Sequence, residues 1–149
     1  MLDFIDYNSS NTTIITRDDI VEGNISSSDS IENNGKVFGY VNCDGLLSNY
    51  GQITGTVNCS NLILRNNSQI FGDCQILFDA LLEKNSLIRG DVQCNSIEVN
   101  GKIYGNIKAN GKVVINSGAE VYGDISASDL CVQNSAVIVG KVKYIFNRL

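Results

Sequence analysis

Apolar and polar residues alternate along this chain in short bursts, and the bursts recur. A β-branched residue stands two before a glycine and another stands two after it in Val21-Glu22-Gly23-Asn24-Ile25, Val37-Phe38-Gly39-Tyr40-Val41 and Ile53-Thr54-Gly55-Thr56-Val57. The phrase returns in Ile88-Arg89-Gly90-Asp91-Val92, Ile103-Tyr104-Gly105-Asn106-Ile107, Val121-Tyr122-Gly123-Asp124-Ile125 and Ile138-Val139-Gly140-Lys141-Val142, and Ile70-Phe71-Gly72-Asp73-Cys74 differs only in its cysteine. The central glycines are 16, 16, 17, 18, 15, 18 and 17 residues apart. That period is too short for a helix pair and too long for one strand with a tight turn, so it predicts the coil of a solenoid.

Alternation with a period of two around each glycine predicts β-strand, half buried. A second apolar pair follows in the regular repeats, as in Leu62 and Leu64, Ile97 and Val99, Val113 and Ile115, and Leu130 and Val132. Asn33-Asn34-Gly35, Asn66-Asn67, Asn100-Gly101 and Asn116-Ser117-Gly118 read as turns between the strands. Strands this short cannot pair within one repeat and must pair with the next. The expected fold is all-β, a single-domain parallel β-helix of about eight coils with rungs ~4.8 Å apart. The right-handed form is expected from the handedness of parallel crossovers. A left-handed coil with an aliphatic residue every six positions fits the spacing of Ile53, Val57, Leu62, Leu64 and Ile70 poorly. The stretch Phe78 to Lys84 is the largest irregularity, expected as a slightly stretched coil with one helical turn or a bulge.

Composition narrows the function. The 149 residues are one domain by length, 43% apolar, with a mean hydropathy of zero. No apolar run is long enough to span a membrane, and no basic region precedes an apolar stretch at the start, so a cytoplasmic location is expected. A net charge of -5 argues against nucleic acid, whose phosphates need a basic face. The charge is also uneven: residues 1 to 32 hold seven acids against Arg17, whereas 141 to 148 hold Lys141, Lys143 and Arg148 and no acid.

Candidate chemistry is sparse. The glycine column reads as a corner needing positive φ or lacking room for a Cβ, since no helix and no GK[ST] follows to cradle phosphate. Cys43, Cys59 and Cys94 share the register four after the glycine, Cys74 replaces a valine, and the chain has no histidine to join a zinc site. The first four cysteines are therefore expected as reduced, inward-facing small hydrophobes. Asp73 and Asp91 follow their glycines on adjacent rungs; they are expected to cap turn amides rather than hold calcium, because the repeat lacks the spacing of calcium-binding coils. No catalytic residue, cofactor or metal is expected, and no loop is long enough to wall a cleft, so the chain does not read as an enzyme.

The phrases VEGNI, IRGDV, IYGNI and VYGDI at this spacing resemble those of the bactofilins, bacterial cytoskeletal proteins. The likeness runs from about Thr12 to Lys143, giving a short N-terminal tail (1–11), a β-helix domain (12–143) and an end segment (144–149). It implies a compact β-helix that polymerises without nucleotide into filaments, often at the inner membrane, and scaffolds cell-wall, cell-shape or motility factors. Filaments of that family are held to lack polarity.

Physical reasoning reaches self-assembly separately, because a strand stack has two ends with unpaired backbone groups and uncovered core. The polymerisation contact is expected at Val142, Tyr144 and Phe146 at one end and Val21 and Ile25 at the other. Opposite end charges favour head-to-tail stacking, but screened surface charge is a weak guide. Leu2, Phe4 and Ile5 are candidates for membrane or partner contact, or for capping the first coil, and Asp3 and Asp6 make attraction to anionic lipid poor. Phe38, Phe71, Tyr104 and Tyr122 are expected to point outward as an aromatic stripe for lateral or partner contact. The alternative function is a non-polymerising binding module that uses this stripe.

Overall fold

A computed structural model of the chain describes residues 12–145. All its regular structure is β, wound as a parallel solenoid of about eight turns with three flat faces. Face I consists of eight strands: Ile20–Glu22, Lys36–Phe38, Gln52–Thr54, Gln69–Phe71, Leu87–Arg89, Lys102–Tyr104, Glu120–Tyr122 and Val137–Val139. Face II begins at Ile25–Ser27 and continues through the first residues of Val41–Asn49 and Val57–Leu64, then Cys74–Ile76, Val92–Cys94, Ile107–Ala109, Ile125–Ala127 and Val142–Tyr144. Face III holds Thr13–Ile15, Ile31–Asn33, the last residues of the two long strands, Asp79–Leu82, Ser96–Val99, Lys112–Ile115 and Asp129–Val132. Every pairing is parallel and links a strand to its copy one coil away.

In-register stacking turns the sequence repeat into columns of side chains. Two before the glycine, Val37, Ile53, Ile70, Ile88, Ile103 and Val121 stack inward and are at most 1% exposed. Two after it, Val41, Val57, Cys74, Val92, Ile107 and Ile125 form the second inner column. Ile31, Leu47, Leu62, Ala80, Ile97 and Val113 form the third, on face III. Each fully buried aliphatic side chain contributes ~1.5–3 kcal/mol, so the long dry interior outweighs what any single coil could supply.

The glycine column turns the corner between faces I and II, with φ from 127° at Gly23 to 158° at Gly105 and Gly123. Its glycines also sit against one another: a Cβ on Gly105 would collide with the carbonyl oxygen of Gly90, one coil below. Both the conformation and the space exclude a side chain there.

Two features depart from the expected pattern. The stretch Phe78 to Lys84 is neither a helical turn nor a bulge; Asp79–Leu82 is an ordinary strand in register with both neighbours. Ala80 and Leu82 point inward and complete columns with Leu62 and Ile97 and with Leu64 and Val99, which fixes the register. The bulge lies instead between Cys43 and Leu46, where the register shifts in Val41–Asn49. Gly45 there donates its N–H to Asp29 O, and Leu46 N–H donates to Ser30 Oγ at 3.1 Å.

Asn33, expected in a turn, is instead buried at the end of its strand and stacks on Asn49. Asn33 Nδ2 donates to Asn49 Oδ1 at 2.8 Å, and each amide oxygen accepts a backbone N–H, from Gly35 and Gly51 respectively. Asn49 Nδ2 donates to the carbonyl of Gln69 in the next coil at 3.2 Å. With these bonds made, a polar pair is tolerated where the upper coils place Leu82, Val99 and Ile115.

Candidate assembly interface

The columns stop at two edges among the described residues. The lower edge is made by Thr13–Ile15, Ile20–Glu22 and Ile25–Ser27, the upper by Asp129–Val132, Val137–Val139 and Val142–Tyr144. Of the residues expected at the contact, Val142 and Tyr144 lie on the upper edge, 41% and 49% exposed. They stand over Ile125 and Ala127, which are buried, so their exposure comes from the lack of a described coil above them. Val21 and Ile25 are the lowest members of the two inner columns and are half-buried. Phe146 lies outside the described residues.

The edges hold further apolar residues that reasoning from the glycine phrase missed. Val132, Val137 and Val139 are exposed on the upper edge and Ile14 and Ile20 on the lower. The signal was present, since each is the terminal member of a face I or face III column. An edge that exposes apolar side chains beside unpaired strand backbone is a template for another strand stack.

The column after the glycine behaves as a ladder of caps. Asp73 Oδ1 accepts the N–H of Asp91 at 2.8 Å, and Asp91 Oδ1 accepts that of Asn106 at 2.9 Å. Asn106 Oδ1 and Asp124 Oδ1 in turn accept from Asp124 and Lys141. The side chains are thus used to satisfy turn amides between coils. Among the described residues no group of three His, Cys, Asp or Glu is placed to hold a metal ion.

Cys43, Cys59, Cys74 and Cys94 are buried and unpaired, and Cys43 donates its thiol to Asp29 O at 3.0 Å. Loss of hydration pushes Cys74 and Cys94 up to about 12 and raises Cys43 and Cys59 as well. These thiols stay protonated at neutral pH and poorly reactive. Cys131 differs: it points outward on face III at the upper edge, beyond Val114, and is half-buried.

Phe38, Phe71, Tyr104 and Tyr122 share one outward column on face I, but Thr54 and Arg89 interrupt it. The Tyr104 and Tyr122 rings stack 4.9 Å apart and nearly parallel, with the Arg89 guanidinium over Tyr104. Tyr122 Oη donates to Glu120, a bond that lowers the Glu120 carboxyl and raises the Tyr122 phenol. One face of the Tyr104 ring is thus taken up by Tyr122, and the Arg89 guanidinium also lies over this ring. Leu2, Phe4 and Ile5 lie outside the described residues, and no helix among those described is long and apolar enough to cross a membrane.

Residues 78–143 match the bactofilin family model, described as polymer-forming cytoskeletal. Over these residues the chain is similar to a bactofilin domain. A curated relative, Bactofilin BacO of Myxococcus xanthus (strain DK1622), is 30% identical over 61 residues, 41% of this chain and 48% of that protein. The chain thus spans about half the length of this relative. No solved structure matches the chain. The bactofilin match covers the regular upper coils, with the caps Asp91, Asn106 and Asp124, the stacked tyrosines and most of the upper edge.

Proposed function

We propose that this chain is a self-assembling cytoskeletal scaffold whose filaments grow by continuing the solenoid's sheets from one molecule to the next. The observation that carries the reading is the upper edge, where Val132, Val142 and Tyr144 extend buried columns yet lie exposed. Assembly is driven by burying these side chains and pairing edge strands, which requires no nucleotide. The filament then serves as a cytoplasmic platform for factors of cell shape, cell wall or motility, with Leu2, Phe4 and Ile5, by their apolar character, the candidates for contact with the inner membrane surface.

Negative-stain electron microscopy of purified protein at physiological salt, without nucleotide, tests this reading. Filaments as wide as one solenoid, or bundles of them, are expected. A monodisperse monomer across the accessible concentration range would instead favour a binding module working through face I.

A further inference from the structure

Nearly half the cations of this acidic chain line one groove on the side of the stack. It follows the corner between faces III and I, lined in its lower half by Arg17, Lys36, Gln52 and Gln69 and in its upper half by Gln69, Lys84, Arg89 and Lys102. Five of the chain's 11 Lys and Arg residues thus line it, all exposed, and no Asp or Glu does. Register produces this arrangement. Lys36, Gln52, Gln69, Leu87 and Lys102 form one outward column, three residues before the corner glycines, and the floor beside it is kept low by the small residues Gly35, Gly51, Ser86 and Gly101. Of the flanking acids, Asp19 accepts from Thr16, Glu83 from Arg65 Nη1 at 3.2 Å and Glu120 from Tyr122. Lys102 Nζ also lies 3.6 Å from Glu120, an exposed pair that solvent makes weak.

The cations fall into two clusters, Arg17 and Lys36 below and Lys84, Arg89 and Lys102 above, and the stretch between them offers only the amides of Gln52, Asn67 and Gln69. Lys36 and Lys102 are four rungs apart in their column, ~19 Å, which is the span of about six residues of extended chain. A peptide laid up the groove with carboxylates at both ends of such a span meets both clusters. The amides between them can donate to and accept from its backbone. Arg89 is already oriented by the Tyr104 ring, 5.1 Å away, so its fork loses less freedom on meeting a carboxylate. Nucleic acid fits less well, because it is charged at every step and the middle of the groove has no cation to answer it. A bilayer surface is flat and does not enter a groove.

We propose that this groove binds an extended acidic segment of a partner protein, with its carboxylates in two groups about six residues apart. The proposal names the chemistry by which the scaffold proposed above takes its cargo, and in that sense rests on it. Fluorescence anisotropy with the purified full chain and a labelled peptide Asp-Asp-Ser-Ser-Ser-Ser-Asp-Asp tests it. The peptide should bind, and Lys36→Gln/Lys102→Gln, folded by circular dichroism, should weaken binding about tenfold. Lys108→Gln/Lys112→Gln, with the same charge removed outside the groove, should change it by under about twofold. An isomeric peptide with its four aspartates adjacent reaches one cluster only and should bind several-fold more weakly. No binding, equal losses in the two double variants, or equal affinity for the two peptides would each overturn the proposal. Phosphatidylglycerol vesicles or an oligothymidine strand that bound more tightly than the peptide, and lost that binding in Lys36→Gln/Lys102→Gln, would overturn it in favour of lipid or nucleic acid. Peptide binding by a chain that forms no filaments would leave the groove's role standing and remove only the scaffold reading.

Discussion

The coils below Phe78 and those above it solve the same packing problem with different residues. In the lower coils the column that ends face III holds Asn33 and Asn49, the thiols of Cys43, Cys59 and Cys74 line the interior, and a bulge lengthens Val41–Asn49. In the upper coils that column is Leu82, Val99 and Ile115, alanines replace cysteines at 109 and 127, and each strand has three or four residues. The bactofilin match begins at residue 78, where this regular pattern starts. In this solenoid the inward amides stand where one amide stacks on another, Asn33 on Asn49, with their polar atoms bonded.

Exchanging residues between the two regions tests that statement most severely. Leu82→Asn would bury an amide between Leu64 and Val99, neither able to bond it, and should cost about 4 kcal/mol in urea unfolding. Asn49→Leu removes the acceptor of Asn33 Nδ2 yet adds apolar surface, so about 1 kcal/mol is expected, and Asn33→Leu/Asn49→Leu should recover most of it. Equal costs at the two sites would show that the ladder gives no special tolerance.

The glycine column permits a second comparison of somewhat smaller effect. Gly105→Ala suffers both the positive φ and the collision with Gly90 O, and should cost about 3 kcal/mol. Gly23 has positive φ, but nothing among the described residues crowds within 4 Å of where its Cβ would stand, so Gly23→Ala should cost about 1 kcal/mol. Calorimetric melting of the two variants separates backbone conformation from crowding.

Alkaline pH should distinguish the regions again, because the buried thiols are concentrated in the lower coils. Cys74 is held at about 12 in the fold against an ordinary value of 9.0, and Cys59 is also raised. Above pH 9 the unfolded chain releases these protons while the native state keeps them, so the unfolded state binds fewer protons and stability falls as pH rises. The contribution is complete below about pH 9 and drains away toward about pH 12. Cys59→Ala/Cys74→Val should flatten the slope, and hydrogen exchange at high pH should quicken first in the lower coils. The smallest effect belongs to the outer surface of face I, where Arg89→Ala removes a cation over Tyr104 and should cost under about 1 kcal/mol.

Much of this architecture is legible in the sequence, for a physical reason. A stack in register forces each position to solve the same problem in every coil, so the glycine corners, the inner columns and the cap ladder of Asp73 and Asp91 all leave a period. What the sequence conceals is whatever depends on a neighbour. Asn33 looks like a turn residue until Asn49 is seen to lie on it, and Asp44 and Gly45 show no sign of the register shift they allow. Phe78 to Lys84 looks irregular because Ala80 is small for its column, although Leu62 and Ile97 hold it in line. The edge residues Ile14, Ile20, Val132 and Val137 are periodic like the rest, and only their position at the limits of the described stack sets them apart.

Filament growth depends most on the upper edge being where another copy binds, and sedimentation of Val142→Arg/Tyr144→Arg beside the wild type measures that directly. The wild type should pellet as filaments at physiological salt, while the variant remains a soluble monomer with the same β-sheet circular dichroism. A correctly folded variant that pellets as fully as the wild type would contradict it.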